Sequence, residues 1–168
     1  MVAVIVREVL PGETEAVGEL RVAAYRAQGL LAASPGYADS LRRLGFDGRG
    51  TVHVAVRGGQ LLGTVMYDPW RPGSEIARSP DEAEVRALAV APWAQGRGAG
   101  RALMRAVIDQ AALNGISRLL LSTQPAMEAA QHLYRSLGFT RAPELDWAPV
   151  PAVPLLGFAL AVPPAVLS

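Results

Sequence analysis

Along this chain, two-residue alternation and helical periodicity take turns, and each change marks a predicted element. Val2 to Val9 alternates loosely and predicts a strand, ended by Pro11-Gly12. From Thr14, with acids at Glu13 and Glu15, the residues Val17, Leu20 and Ala24 share one face and predict a helix to about Gln28. Ser34-Pro35-Gly36 breaks the chain, and a shorter helix is predicted from Ala38 to Leu44. Val52, Val54 and Val56 alternate in a strand from Thr51. Gly58-Gly59 then makes a turn and Leu61 to Tyr67 returns, which is the pattern of a hairpin. Asp68 to Asp81 carries Pro69, Pro72, Gly73 and Pro80 and reads as a loop.

Glu84 to Val90 predicts a strand that runs straight into the segment WAQGRGAGRAL, residues 93–103. The helix that follows is expected to bury Ala99, Leu103, Ala106 and Val107 and to stop at Asn114-Gly115. Ile116 to Ser122 reads as a strand buried on both faces, since Leu119, Leu120 and Leu121 are consecutive. Pro125 opens a last helix that runs to Leu137 before Gly138, with Ala126, Ala130, Leu133 and Leu137 inward. Two strands follow, near Arg141 to Trp147 and Leu155 to Val162. The order is β-α-α-β-β-β-α-β-α-β-β. A right-handed crossover makes the central strand–helix–strand unit parallel, whereas the hairpin is antiparallel. The expected fold is mixed α/β with helices on both sheet faces, in a single domain over residues 1–168.

Composition narrows the function. Charged residues are 18% of the chain, below the usual ~25%, and the net charge is +1. The arginines are scattered among acids, so no basic stripe invites nucleic acid. There is no Cys and there are only two His, His53 and His132, which argues against a metal site or a thiol nucleophile. His53, within a valine-rich strand, reads as structural, and His132 as a helix-surface residue. The stretch from Val150 to Leu167 is uncharged and nearly long enough to cross a bilayer. Pro151, Pro154, Pro163 and Pro164 cut it into short pieces, so a buried terminal strand is expected and no membrane contact. The first ten residues lack a basic leader, and a cytoplasmic protein is the expectation.

The glycine segment carries the chemistry. A helix start presents free N–H groups and the positive end of the dipole, and a capping side chain or acids usually answer them. Here Gly96, Gly98 and Gly100 leave the backbone bare, and the nearby charges are Arg97 and Arg101. Those arginines repel an empty helix start and suit a bound polyanion, so the segment reads as a pyrophosphate cradle. The alternative is a tight turn with close helix–sheet packing. An ATP-type loop requires Lys then Ser or Thr after the last glycine, where this chain has Arg101 and Ala102. The dinucleotide fingerprint requires a glycine at 101 and an acid after the next strand, which instead ends in Ser122-Thr123.

A third pattern fits. Gln95-Gly96-Arg97-Gly98-Ala99-Gly100 resembles the Q/R-x-x-G-x-G/A signature of the GNAT superfamily of acyl-CoA-dependent N-acetyltransferases. Glu84 to Val90 with Pro92 resembles the family's strand before the cradle, and Ala130, Leu133-Tyr134 and Gly138-Phe139 resemble its second motif. The resemblance implies a mostly antiparallel sheet of about seven strands with one splayed parallel pair. It implies acetyl-CoA as co-substrate and no metal. The implied coenzyme-binding residues are Leu88, Ala89, Val90, Gln95, Gly96, Arg97, Gly98, Ala99, Gly100, Arg101 and Thr123. Thr123 and Gln124 stand where the family often has Asn, and either could take that role. The implied acid is Tyr134. Glu84 is the candidate base, with Asp81 and Glu82 as substitutes and a surface carboxylate paired with Arg86 or Arg78 as the competing view.

The expected reaction is acetyl transfer to a primary amine in a ternary complex; a non-catalytic acyl-CoA sensor is the alternative. Tyr25, Tyr37, Tyr67, Trp70 and Trp147, with Asp68, Glu75, Asp81, Glu82, Glu144 and Asp146, suit a cationic small-molecule or peptide acceptor, or else serve the core. Exposed strand edges leave a homodimer open.

Overall fold

The computed structural model describes residues 3–31 and 36–165. Its strands are β1 (Ile5–Glu8), β2 (Thr51–Arg57), β3 (Gln60–Pro69), β4 (Glu82–Val90), β5 (Arg118–Thr123), β6 (Thr140–Arg141) and β7 (Leu156–Ala161). The helices are α1 (Thr14–Ala27), α2 (Tyr37–Arg43), α3 (Ala99–Leu113) and α4 (Glu128–Ser136). The strands form one seven-stranded sheet in the order β1-β2-β3-β4-β5-β7-β6. β4 and β5 pair in parallel, while the β1–β2, β2–β3, β5–β7 and β6–β7 pairs are antiparallel. The chain divides into two compact units, residues 1–67 with 87–106, and residues 68–86 with 107–168.

In the first unit, Val17 of α1 and Val52, Val54, Val56 and Met66 of the hairpin form a closed apolar cluster, flanked by Val9, Leu44, Phe46 and Leu61. β2 is buried from Val52 to Val56 without alternation, since His53 and Ala55 on its other face are covered too. Arg21 is fully buried. Its Nη1 donates to the carbonyls of Leu41 and Leu44, at 3.0 and 2.7 Å, and its guanidinium lies 5.3 Å from the Phe46 ring centre. A helix leaves its last carbonyls without intrahelical donors, and a cation at that end also opposes the dipole. Arg21 therefore closes α2, which is only seven residues long.

In the second unit, Leu120 of β5, Ala159 of β7 and Ala142 pack with Ile76 and Ala77 of the β3–β4 loop. Gly157 of β7 has no room for a side chain: a Cβ there would lie 2.8 Å from the Ala142 carbonyl oxygen and would collide with Leu145. Arg141 forks onto Asp146, whose Oδ1 also accepts the Gly157 N–H at 2.8 Å.

Several boundaries differ from expectation. The final-but-one strand shrinks to the two residues of β6. Pro143, with no N–H for a ladder, opens a short 3-10 turn over Pro143–Leu145, and Trp147 makes only a single bridge to Leu155. α4 starts at Glu128, after Pro125 and an exposed Ala126; its most buried residues are Gln131 and Tyr134, so the inward face is rotated from the expected one. In α3, Met104 and Ala111 join Ala99, Leu103 and Val107 in full burial, and Ala106 is half-buried. Val2 and Ser34-Pro35 lie outside the described residues. Among the described residues no helix is long and apolar enough to cross a membrane.

Two outcomes are expected. Replacing Arg21 by Met leaves two inward carbonyls without their donor and should lower the unfolding free energy in urea by about 2–3 kcal/mol. Glu13 accepts both Arg7 nitrogens at 2.8 Å and the Leu10 N–H at 2.8 Å, which holds its carboxyl at about 2 against an ordinary 4.5. A depressed carboxyl stabilises above its unfolded value and loses that contribution as pH falls through the folded one. The stability difference between the native chain and Glu13→Gln should therefore be constant above pH 4.5 and shrink steadily towards pH 2.

Candidate active site

The cradle is built at the end of β4. The Ala91 N–H donates to the Leu62 carbonyl at 2.8 Å, and a 3-10 turn over Pro92–Ala94 tucks Ala94 into the interior. The Gln95 side chain folds back, its Nε2 donating to the Val90 carbonyl at 3.1 Å. Gly96 and Gly98 then take φ of 77° and 83°, a region costly to any residue with a Cβ. A Cβ at either would meet nothing within 4 Å, so the backbone angle and not crowding demands glycine there. The first helical bond of α3 runs from the Ala102 N–H to the Gly98 carbonyl at 3.0 Å. Among the described residues, no acceptor takes the N–H groups of Gly96, Arg97, Gly98, Ala99 or Gly100. The first turn of α3 holds no acid, and Gln95 to Gly98 are exposed. Ala99 and Leu103, both buried, seat the helix.

Upstream, β4 pairs with β5 from Glu82–Arg118 to Val85–Leu121. Two residues beyond, Ala87 takes φ 54°, the only non-glycine with positive φ among the described residues. The parallel register with β5 ends before it, at Val85–Leu121. Leu88 and Val90 beyond it are half-exposed, and Ala89 is buried.

In the second unit, the Gln131 side chain donates to the carbonyls of Gln124 and Pro125, at 3.2 and 3.1 Å, and so ties α4 to the loop after β5. Tyr134, one turn on, packs its ring against Phe139 and Phe158, with centres 5.9 and 6.3 Å away. Burial pushes its phenol above the ordinary value, so it is held in the protonated form. Among the described residues no partner lies within hydrogen-bonding reach of that hydroxyl, yet the oxygen is not fully enclosed. A buried ring with a free, reachable hydroxyl is suited to donate to a ligand. Thr123 is buried and its hydroxyl donates to the Met127 sulfur at 3.4 Å.

Glu84 is 2% exposed. Its Oε2 accepts the N–H groups of Ile76 and Ala77, each at 3.1 Å, and so fastens the β3–β4 loop to the sheet. Among the described residues Oε1 has no partner, and it too is not fully enclosed. Neither Arg86 nor Arg78 pairs with Glu84. Arg86 instead bridges Asp68 at 3.3 Å and Glu75 at 3.1 Å, and Arg78 donates to the loop carbonyls of Ser74, Glu75 and Ala77. The substitute bases are engaged elsewhere. Asp81 accepts from Ser79 and Ser117, which holds it below its ordinary value, and Glu82 accepts from the Arg78 N–H and from Arg118.

Of the aromatic candidates, Tyr25 and Tyr67 are core residues, and Tyr37 stacks obliquely on Tyr25 at 6.2 Å. Trp70 and Trp147 flank the same cluster as Ile76 and Ala77, and the Trp147 Nε1 donates to the Ser122 hydroxyl at 3.1 Å. Glu144 and Asp146 are paired with Arg118 and Arg141. The Asp68–Arg86–Glu75 chain and the Ser122–Trp147 contact are not evident in the sequence. Their only sequence trace is the two-residue spacing of Glu84 and Arg86, which puts both on one face of β4.

Comparison with known proteins gives the family and the fold. Residues 15–139 match the Acetyltransferase (GNAT) family, and the chain belongs to that family. It is 37% identical over 111 residues to the mycothiol acetyltransferase of Cellulomonas flavigena, covering 64% of this chain and 31% of that protein. The chain spans about a third of the length of the first curated relatives it matches. Its fold is similar to the ribosomal-protein-S18-alanine N-acetyltransferase of Escherichia coli, with TM-score 0.70 at 20% identity over 99% of this chain and 97% of that one. It is also similar to a GNAT acetyltransferase of Brucella melitensis solved in complex with acetyl-CoA, with TM-score 0.68 at 20% identity over 99% and 92%.

Gly98→Ala forces a Cβ into the left-handed region and should lower stability by about 1–2 kcal/mol in denaturant titration. Gly12→Ala, where a Cβ also meets open space but φ is not positive, should leave stability nearly unchanged.

Proposed function

We propose that this chain transfers the acetyl group of acetyl-CoA to a primary amine by direct attack. The observation that carries the proposal is the run of amides from Gly96 to Gly100 without acceptors at a helix start that lacks any acid. Five N–H groups without acceptors among the described residues, beside Arg97 and Arg101, suit a diphosphate. In this view Gly96, Arg97, Gly98, Ala99, Gly100 and Arg101 hold the diphosphate, while Gln95 braces the turn through Val90. The backbone of Leu88 and Val90, past Ala87, hydrogen-bonds the pantetheine arm. Thr123 lines it. The N–H of Leu88 or Ala89 polarises the thioester carbonyl, a fixed dipole that needs no reorganisation as charge builds on oxygen.

Two protons must move. Alkyl ammonium groups titrate near ~10.4, and only the neutral amine attacks. The free Oε1 of Glu84 takes that proton, through water where the amine is not in direct reach. As the C–S bond breaks, the Tyr134 hydroxyl, protonated and unengaged, donates to the departing sulfur. The chain has no Cys to carry the acyl group, in keeping with a single transfer step. Relatives are named mycothiol acetyltransferase, N-acetylaspartate synthetase and ribosomal-protein alanine N-acetyltransferase, so kinship supports an amine acceptor without choosing one.

The test is acetyl-CoA-dependent thiol release across an amine panel, beside calorimetry with CoA. Release with at least one amine class and micromolar CoA binding are expected. Absence of CoA binding by folded protein would overturn the proposal, and binding with no turnover would make the chain an acyl-CoA sensor. Tyr134→Phe should lower kcat at neutral pH by about tenfold to a hundredfold and leave KM for acetyl-CoA within about twofold.

A further inference from the structure

The β3–β4 loop gathers more carboxylate than it neutralises. Asp68 is 2% exposed and shares Arg86 with Glu75; Arg71 stands 3.8 Å from the same Asp68 oxygen. The other Asp68 oxygen, Oδ1, and the Arg71 Nε are enclosed and have no partner among the described residues. Glu84, beside them, is held by two backbone N–H groups and by no cation. Exposed Arg78 is tied to loop carbonyls. Three carboxylates thus share two guanidinium groups, and of the three the Glu75 side chain is by far the most exposed, at 41%. Burial pushes the Glu75 carboxyl above its ordinary range against the pull of Arg86, and the charges of Glu84 and Asp68 push the same way. Trp70 and Trp147 flank the apolar side of the same loop.

We propose that the acceptor bears a second cationic group, distinct from the amine that is acetylated, and that Glu75 docks it. The inference rests on the transferase reading above. Its physical basis is the opposing need of the two nitrogens. The Glu84 carboxylate takes a proton from the reacting amine, whereas the exposed Glu75 carboxylate can hold a nitrogen that keeps its own. A second, non-reacting ammonium relieves the crowded carboxylates, and the tryptophans accept the alkyl chain between the two nitrogens. A carboxylate-bearing acceptor is disfavoured, because Arg86 is already shared by two acids and Arg71 faces Asp68. A metal ion is disfavoured too, because among the described residues no three acidic or histidine side chains converge to hold one.

The test compares putrescine and cadaverine with butylamine and pentylamine, in thiol release and in calorimetry on CoA-loaded protein. The diamines should show KM values at least about tenfold below those of the matched monoamines. Glu75→Gln should collapse that preference to within about twofold, and Glu75→Asp, which keeps the charge, should recover most of it. Equal KM values for monoamines and diamines, or a preference that survives Glu75→Gln, would sink the inference and leave the transferase standing. If no amine is turned over, the transferase reading falls, and calorimetry still decides the docking: diamine binding lost in Glu75→Gln supports it, and no diamine binding refutes it.

Discussion

A helix start whose first N–H groups have no acceptor among the described residues is the constraint on which the rest depends. Proteins seldom leave such groups unanswered, because the four donors and the dipole together attract whatever anion is near. Here the first turn holds no acid, Gly96 and Gly98 are exposed, and among the described residues nothing accepts these N–H groups. The surroundings are correspondingly firm. The Ala91 N–H on Leu62, the Gln95 amide on Val90 and the buried Ala94, Ala99 and Leu103 hold the turn in place. Preorganised donors of this kind bind a polyanion without first losing a competing partner.

β4 carries the remaining parts. Its first half is a pairing strand, locked to β5 over four residues, and its second half follows a left-handed alanine. Strain of that sort persists only where the surroundings impose it, and it sits here between Glu84 and the cradle. The two oxygens of Glu84 differ in their surroundings. Oε2 anchors the loop through Ile76 and Ala77, and Oε1 remains open. Tyr134 shows the same division, with a ring fixed among Phe139 and Phe158 and a hydroxyl left unengaged.

Much of the fold was legible because the local signals were strong. The valine alternation of β2, the Gly58-Gly59 turn, the Leu119–Leu121 run and the glycine segment each produced the expected element. Two expectations failed for tertiary reasons. Around Arg141 to Trp147 the residues look extended, yet Pro143 and the Arg141–Asp146 fork turn the chain out of the sheet. In α4 a polar residue, Gln131, displaced an alanine from the inward face, because its amide is needed by the carbonyls of Gln124 and Pro125. Hydrophobic periodicity is blind to a side chain buried for its hydrogen bonds.

The sequence by itself determined the glycine turn before α3, since glycine at positions of positive φ and a helix start without acids are properties of consecutive residues. It also determined the order of elements and the family, which local periodicity and spacing carry. Only the tertiary structure decided what each carboxylate does. Glu84, Glu75, Asp68, Asp81 and Glu82 look alike along the chain. Their roles follow from which donors folding brings to each: backbone amides for Glu84, a shared guanidinium for Glu75 and Asp68, serines for Asp81 and arginine for Glu82. Donors so far apart in sequence are set beside a carboxylate by strand register and loop closure, and neither can be read from the residues next to it.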